Sequence, residues 1–509
     1  MTKSKFLSAL AIVTIVVASI YSFPYFSGLR SAMEMPRLFQ TIEMVDHHSL
    51  SLNASYAELR RGSMIDVAHV NGHLYPNKAP GSSFFAIPGY WLAKTFFAIS
   101  GQHPVPIAVT MWICRFSTAT LPFLVVIFLL WRLLRQFVAP SIALLATVAT
   151  TFGSMMFPNA LIFFSSVPAA VALFGAYWVL EMTPSLTRKH LVAIGALLGL
   201  AVVFDYESVI GVVIIFVAVC QRTQWRLRSA AMVIAGGVPF AVALGAYHAA
   251  CFGSPFRTGY DTLAAHQRPV VLIGPNRPAL DDILLSPSNG LFVLMPWTII
   301  AILAGVAALL NKRDGNWRRI ALISLVITLG TILFVGSIQK VTGVRIGGWS
   351  AGPRYLMIAI PFLGLLFAFA LDRVKFLPEL FGAFVGLALV GATTMVTAAL
   401  FPHWPDEIQN PLYEASFPLL SAGVVPPNIG WLSGLRGAAS IAPLYVLIGG
   451  LFLAPIVSFY NNDVSGRPWF GAVRSILAAI VTCATLVVLY SRFPSGRDNL
   501  VSLARAFLE

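Results

Sequence analysis

The chain has 509 residues, 58% of them hydrophobic and 11% charged, with a mean hydropathy of +0.80. That composition excludes a soluble globule, because apolar runs of bilayer-spanning length recur along it. The runs must be helical, since a backbone group left unpaired in hydrocarbon costs several kcal/mol. The formal charge of +14 would suggest a polyanionic partner in a soluble protein. With the amino terminus inside, however, most of the excess falls on short cytoplasmic connections around Arg132/Arg135, Arg188/Lys189, Arg222/Arg226/Arg228, Lys312/Arg313/Arg318/Arg319, Arg373/Lys375 and Arg467/Arg474. This is the positive-inside pattern of a membrane protein and leaves no nucleic-acid footprint. The scattered Cys114, Cys220, Cys251 and Cys483 suggest neither a disulfide framework nor a metal site.

The expected fold class is an all-α polytopic membrane protein, a single integral domain over 1–509 with about thirteen transmembrane helices. The first run, 6–23, follows Lys3 and Lys5; no small-residue cleavage site follows it, so it reads as an anchor. A long exported loop, 24–104, comes next. In it, Met33, Leu38, Ile42 and Val45 recur at helical spacing and predict a surface-lying helix over 30–50. The apolar stretch 83–100 reads as a re-entrant or interfacial helix with Tyr90 and Trp91 at headgroup depth, because a full crossing there would put Arg132 and Arg135 outside. Further spans are predicted near 107–131, 139–160, 166–182, 190–204, 207–220, 229–250, 291–310, 320–336, 355–370, 379–401, 438–460 and 473–490. The long connections 24–104, 251–290, 337–354 and 402–437 then all lie outside, as does the carboxyl terminus. Binding residues tend to sit on loops held by a rigid scaffold, so the chemistry is expected on that face.

Two strings in the first loop carry candidate chemistry. Glu34 and Arg37, in Met33-Glu-Met-Pro-Arg37, share a helix face: Glu34 could take the proton of an acceptor hydroxyl, and the same spacing suits a plain surface ion pair. Glu43, Asp46, Glu58 and Asp66 are rival carboxylates that spacing does not rank. Lys78, in Tyr75-Pro-Asn-Lys-Ala-Pro-Gly81, is placed to hold a lipid phosphate, or simply to snorkel at a helix start. Arg354, in Trp349-Ser-Ala-Gly-Pro-Arg-Tyr355, invites the same two readings. Arg115 stands near the start of an apolar run, and Asp205-Tyr-Glu207 at an exported turn. His47, His48, His69 and His73 match no zinc-ligand spacing, and no nucleotide or phosphate-loop fingerprint is present.

The order of these pieces resembles the GT-C superfamily of membrane glycosyltransferases. Within it, the layout looks most like the group of aminoarabinose lipid A transferases and protein O-mannosyltransferases (glycosyltransferase family 39-like). Glu34-Met-Pro-Arg37 stands where that group has Asp-Glu-x-Arg, which implies Glu34 as catalytic base with Glu in place of Asp. Asn77-Lys78-Ala-Pro80 matches the turn whose lysine contacts the lipid phosphate. Cys251-Phe-Gly-Ser-Pro-Phe-Arg-Thr-Gly-Tyr260, Ser286-Pro-Ser-Asn-Gly-Leu291 and Gly352-Pro-Arg-Tyr355 look like strings of bacterial membrane proteins with this layout. Where the group has a second exported acid after the third span, this chain has Phe164-Ser165-Ser166 before Pro168, so that carboxylate is either absent or supplied by Asp66.

The resemblance implies inverting transfer of a sugar from a polyprenyl-phosphate donor to a hydroxyl of an exported glycan or lipid acceptor, at the outer face of a bacterial cytoplasmic membrane. Glu34 and Asp66 would be catalytic, Lys78 and Arg354 would bind the donor phosphate, and Arg37, Tyr75, Tyr260 and Tyr355 would line the acceptor or donor pocket. No cofactor and no metal are expected. The competing readings are a lipid-linked glycan transporter or flippase, which calls for inverted repeats or broken midplane helices, and an O-antigen polymerase or ligase with a pyrophosphate-linked donor.

Overall fold

The computed structural model describes residues 3–23, 33–59, 66–102, 104–262, 271–341, 343–402, 404, 406, 408–463 and 468–493. The first part of the helix predicted over 30–50, up to residue 32, and the side chain of Glu58 lie outside them. Each of the thirteen predicted spans carries a helix. Among the described residues seven are long and apolar enough to cross a bilayer: Ile107–Leu134, Leu227–Phe252, Gly315–Val335, Arg354–Val374, Pro378–Ala398, Ala442–Asn462 and Trp469–Tyr490. Ala11–Tyr21, Pro140–Thr151, Ser166–Met182 and Trp297–Leu310 are apolar but shorter. The stretch predicted as one span over 139–160 is broken. Its helix Pro140–Thr151 covers only about 18 Å before the chain turns at Gly153 and resumes as Met156–Asn159. Gly153 permits that turn, since a Cβ there would lie 2.4 Å from the Ala149 carbonyl and 3.0 Å from that of Ala388.

The described chain forms two compact units, one from 1–25, 124–159 and 274–509, the other from 26–123 and 160–273. In the first unit, Arg354–Val374 is buried along nearly its whole length. Gly364 lets it approach Pro140–Thr151, as a Cβ there would meet Thr150 Oγ1 at 2.2 Å. Pro378–Ala398 and Pro468–Tyr490 pack backbone to backbone: a Cβ at Gly382 would sit 2.1 Å from the Ser475 carbonyl and one at Gly386 2.7 Å from that of Ala479. Small residues at a crossing allow this approach where lipid removes the hydrophobic drive between helices.

The second unit is built on the same device. Arg188–Phe204 and Leu227–Phe252 cross with Gly195 and Gly236 at the contact, where a Cβ would fall 1.8 Å from the Val233 carbonyl and 2.1 Å from that of Val192. Onto this frame the first long loop folds as a short helix Met35–Ile42, a π turn Glu43–His47, a helix Asn53–Leu59, an antiparallel hairpin and a helix Gly81–Ile99. The hairpin pairs Val67–Val70 with His73–Pro76, register Val67 to Pro76. Asn71 and Gly72 turn it with φ of +50° and +80°, the left-handed pair that suits the twist of a two-residue hairpin.

Two features of this loop differ from expectation. The Met35–Ile42 helix does not lie on the surface: residues 36–42 are all buried. Two of its polar side chains donate inside, Gln40 Nε2 to the Tyr247 hydroxyl at 2.8 Å and Thr41 Oγ1 to the Ser83 carbonyl at 3.1 Å. On Gly81–Ile99, Trp91, Leu92, Phe96 and Ile99 are exposed, but Tyr90 turns inward. Its hydroxyl donates to Asp46 Oδ2 at 2.7 Å, while Lys94 pairs with Asp46 Oδ1 at 2.7 Å.

Candidate active site

Residue 66 closes the foot of the hairpin. Asn77 N–H donates to the Asp66 carbonyl at 3.2 Å, one step past the last ladder pair, and Asp66 takes a left-handed φ of +62°. That backbone turn brings its carboxylate to the Lys78 string, with Asp66 Oδ1 3.6 Å from Lys78 Nζ and 3.5 Å from Asn77 Nδ2. The Lys78 ammonium also sits 4.6 Å from the centroid of the Tyr260 ring, where the ring quadrupole attracts a cation. Lys78 and Asp66 keep 13% and 16% of their side chains exposed, so the pair is screened but reachable.

Tyr260 arrives from the far end of the chain segment. Leu227–Phe252 stops at Gly253 in a left-handed conformation, φ +80°. A tight turn follows, in which Asp261 Oδ2 accepts from Thr258 N at 2.7 Å and from Thr258 Oγ1 at 3.0 Å. Gly259 then lies against the Lys78 string so closely that a Cβ would be 2.4 Å from Asn77 Cα. Two strings 182 residues apart, counted from Asn77 to Gly259, are thus locked together. Tyr75, half-buried on the hairpin, meets Phe252 edge-on at 6.0 Å.

Glu34 occupies a second, closed position in the same unit. Its carboxylate accepts from Arg115 Nε and Nη2, each at 2.8 Å, and from the Phe163 N–H at 2.6 Å, with Glu34 fully buried and Arg115 1% exposed. Arg115 is followed at once by a π turn, Phe116–Thr120, inside its helix, a local widening often found at functional positions. Arg37 donates Nη1 to the Met33 carbonyl at 2.6 Å and stacks over Phe164 at 5.6 Å. The stretch 163–164, near which the family resemblance calls for a second acid, therefore serves the first acid through its backbone. Sequence reasoning noticed Arg115 as a charge near an apolar run without assigning it to Glu34.

Arg354 and Tyr355 belong to the other unit. Arg354 begins the Arg354–Val374 helix, is 4% exposed and lies 5.3 Å from the Tyr355 ring. Gly347 (φ +102°) and Gly352 (φ +77°) bend the preceding loop around it. In the same unit, Asn289 of the Ser286–Leu291 string donates to Asp282 Oδ2 at 3.0 Å and to the Ile346 carbonyl at 2.9 Å, and Asp282 pairs with Lys340 at 3.0 Å. These bonds knit the connections 274–290 and 337–354 together. Among the described residues no group of three His, Cys, Asp or Glu side chains is placed to hold a metal ion.

No protein-family model matches the sequence, and no curated protein does. Among solved structures, ArnT from Cupriavidus metallidurans in the apo state is similar at a TM-score of 0.52 and 14% identity, over 95% of this chain and 78% of that one. The same ArnT bound to undecaprenyl phosphate gives 0.48 and 14%, over 96% and 78%. The Archaeoglobus fulgidus oligosaccharyltransferase in the apo form gives 0.40 and 11%, over 93% and 60%. The likeness to apo ArnT shows the fold: this chain shares the architecture of that structure over most of its length.

Proposed function

We propose that this chain is a glycosyltransferase that moves a sugar from a polyprenyl-phosphate donor to a hydroxyl of an exported glycan or lipid acceptor, with inversion, at the outer face of a bacterial cytoplasmic membrane. The observation that carries this reading is the Lys78 ammonium held between Asp66 and the Tyr260 ring at the head of the Gly81–Ile99 helix. The ArnT-like fold supports the reaction class.

In the proposed reaction the donor phosphate takes the Lys78 ammonium and releases Asp66. The acceptor oxygen bonds to the anomeric carbon as its proton passes to a carboxylate, and the bond from that carbon to the phosphate oxygen breaks. Lys78 stabilises the charge left on the departing polyprenyl phosphate. Of the two carboxylates expected to act, Asp66 is the reachable one, and we assign it the proton. Glu34, enclosed by Arg115 and the Phe163 N–H, fixes the start of the Met35–Ile42 helix. For Arg354 and Tyr355 the phosphate or pocket role rests on the sequence reading.

The test is release of polyprenyl phosphate from a labelled polyprenyl-phosphate sugar by the purified protein. Lys78→Met should lower turnover about 100-fold, the scale of one lost charge-stabilising donor, and Asp66→Asn by about 100-fold or more, the scale of a lost general base. Full activity in Asp66→Asn with none in a folded Glu34→Gln would return the proton to Glu34. Movement of label across the membrane without carrier release would identify a transporter instead.

A further inference from the structure

Lys78 rests on Tyr260, and Tyr260 rests on a group of side chains that the proposed reaction does not use. His248 lies in the last turn but one of the Leu227–Phe252 helix and is 5% exposed. Its Nδ1 lies 3.2 Å from the Pro255 carbonyl and its Nε2 2.8 Å from the Tyr206 hydroxyl. A carbonyl only accepts, so Nδ1 carries the proton and donates to Pro255, leaving Nε2 to accept from Tyr206. The imidazole thus folds the Cys251–Tyr260 string back onto its own helix. Tyr206 comes from the short turn Tyr206–Ser208 that joins Arg188–Phe204 to Val209–Arg222. Its ring meets His248 at 5.7 Å and Tyr260 at 6.5 Å, both in edge-on geometry. The string is therefore fixed at two points, by His248 at Pro255 and by the Gly259 contact with Asn77, and the ring of Tyr260 is backed by Tyr206.

We propose that Tyr206 and His248 are positioning residues for the phosphate-binding ammonium: their hydrogen bond holds the Tyr260 ring under Lys78. This rests on the reading of Lys78 as the phosphate ligand. Loss of the bond leaves Tyr260 in place on average but frees its ring to shift, which weakens phosphate binding without removing any group that touches substrate. The energetics of one buried neutral hydrogen bond set the size of the effect at about three- to tenfold.

The experiment measures binding of farnesyl phosphate to the full chain in detergent by calorimetry, with thermal unfolding as a control for folding, in wild type, Lys78→Met, Tyr206→Phe, His248→Gln and His248→Ala. Tyr206→Phe keeps the ring and removes only the hydroxyl, and is expected to raise Kd about three- to tenfold. His248→Ala should do at least the same. His248→Gln, which can keep an acceptor toward Tyr206, should restore much of the affinity. In turnover, the donor KM should rise with kcat within about twofold, a split that a merely less stable protein does not give. Wild-type affinity in Tyr206→Phe, with Lys78→Met weakened, overturns this inference and leaves the proposed function standing. No binding by the wild type overturns both.

Discussion

A carboxylate with two guanidinium nitrogens at 2.8 Å and a backbone N–H at 2.6 Å has little capacity left for a substrate hydroxyl. Breaking such a buried pair strands a charge, whereas replacing both partners with apolar side chains is often near neutral. Glu34→Gln or Arg115→Met alone should therefore destabilise the protein by about 3–5 kcal/mol, and Glu34→Met with Arg115→Met together by far less. Thermal unfolding in detergent checks this, and carrier release by the double variant then asks whether Glu34 does more than anchor. The i,i+3 spacing of Glu34 and Arg37 was legible in the sequence, but Arg115, 81 positions on, was not, because helix periodicity says nothing about which helix lies opposite. At the same scale, burial, reinforced by the bond to Asp46, pushes the Tyr90 phenol above its usual 10.0. Burial, together with Tyr260, Asp205 and Glu207, does the same for Tyr206. A raised folded pKa means the folded state keeps its proton longer, so stability is full below about pH 10 and falls as pH rises further. In alkaline titration these two phenols should ionise after the exposed ones, and Tyr206→Phe should flatten the loss of stability.

Elements in this protein meet at glycines. A methyl group at Gly259 would lie 2.4 Å from a backbone atom of Asn77, which cannot yield as a side-chain end can. Gly259→Ala should push the Tyr260 string off the Lys78 string, costing about 1–3 kcal/mol by overpacking and most of the carrier-release activity. Gly253→Ala, where nothing lies within 4 Å, strains only a left-handed turn and should retain the Lys78 contact. The comparison of the two by activity separates a contact from a backbone preference. The hairpin that carries Asp66 was within reach of sequence reasoning: Asn71-Gly72 between Val-Ala-His-Val and His-Leu-Tyr is a strong short-range hairpin signal. Asp66 itself, at positive φ, gave no such signal.

Across the described residues, each predicted apolar run carries a helix, since bilayer thickness constrains each run independently of its neighbours, though the one over 139–160 breaks near Gly153. Burial of the Met35–Ile42 helix was not legible, because its 8 residues show charge and amide groups whose partners come from distant segments. The proposed sidedness follows from charge alone, and labelling can check it. Cys114, Cys220 and Cys251 are buried, so a membrane-impermeant thiol reagent should meet little background from them. In intact cells it should modify Leu432→Cys, which is 88% exposed in the connection 402–437, and spare Lys312→Cys. The reverse pattern would invert the topology. The same membrane setting gives the Asp66–Lys78 pair a further meaning. Phospholipid phosphates vastly outnumber any sugar carrier, and a bare lysine at headgroup depth would be occupied by them continuously. Under the proposed function, Lys78, its charge already answered by Asp66, would yield only to a ligand that brings enough additional contact to displace that carboxylate. Asp66→Asn should therefore become sensitive to bulk anionic lipid, losing donor affinity as phosphatidylglycerol is added while the wild type does not.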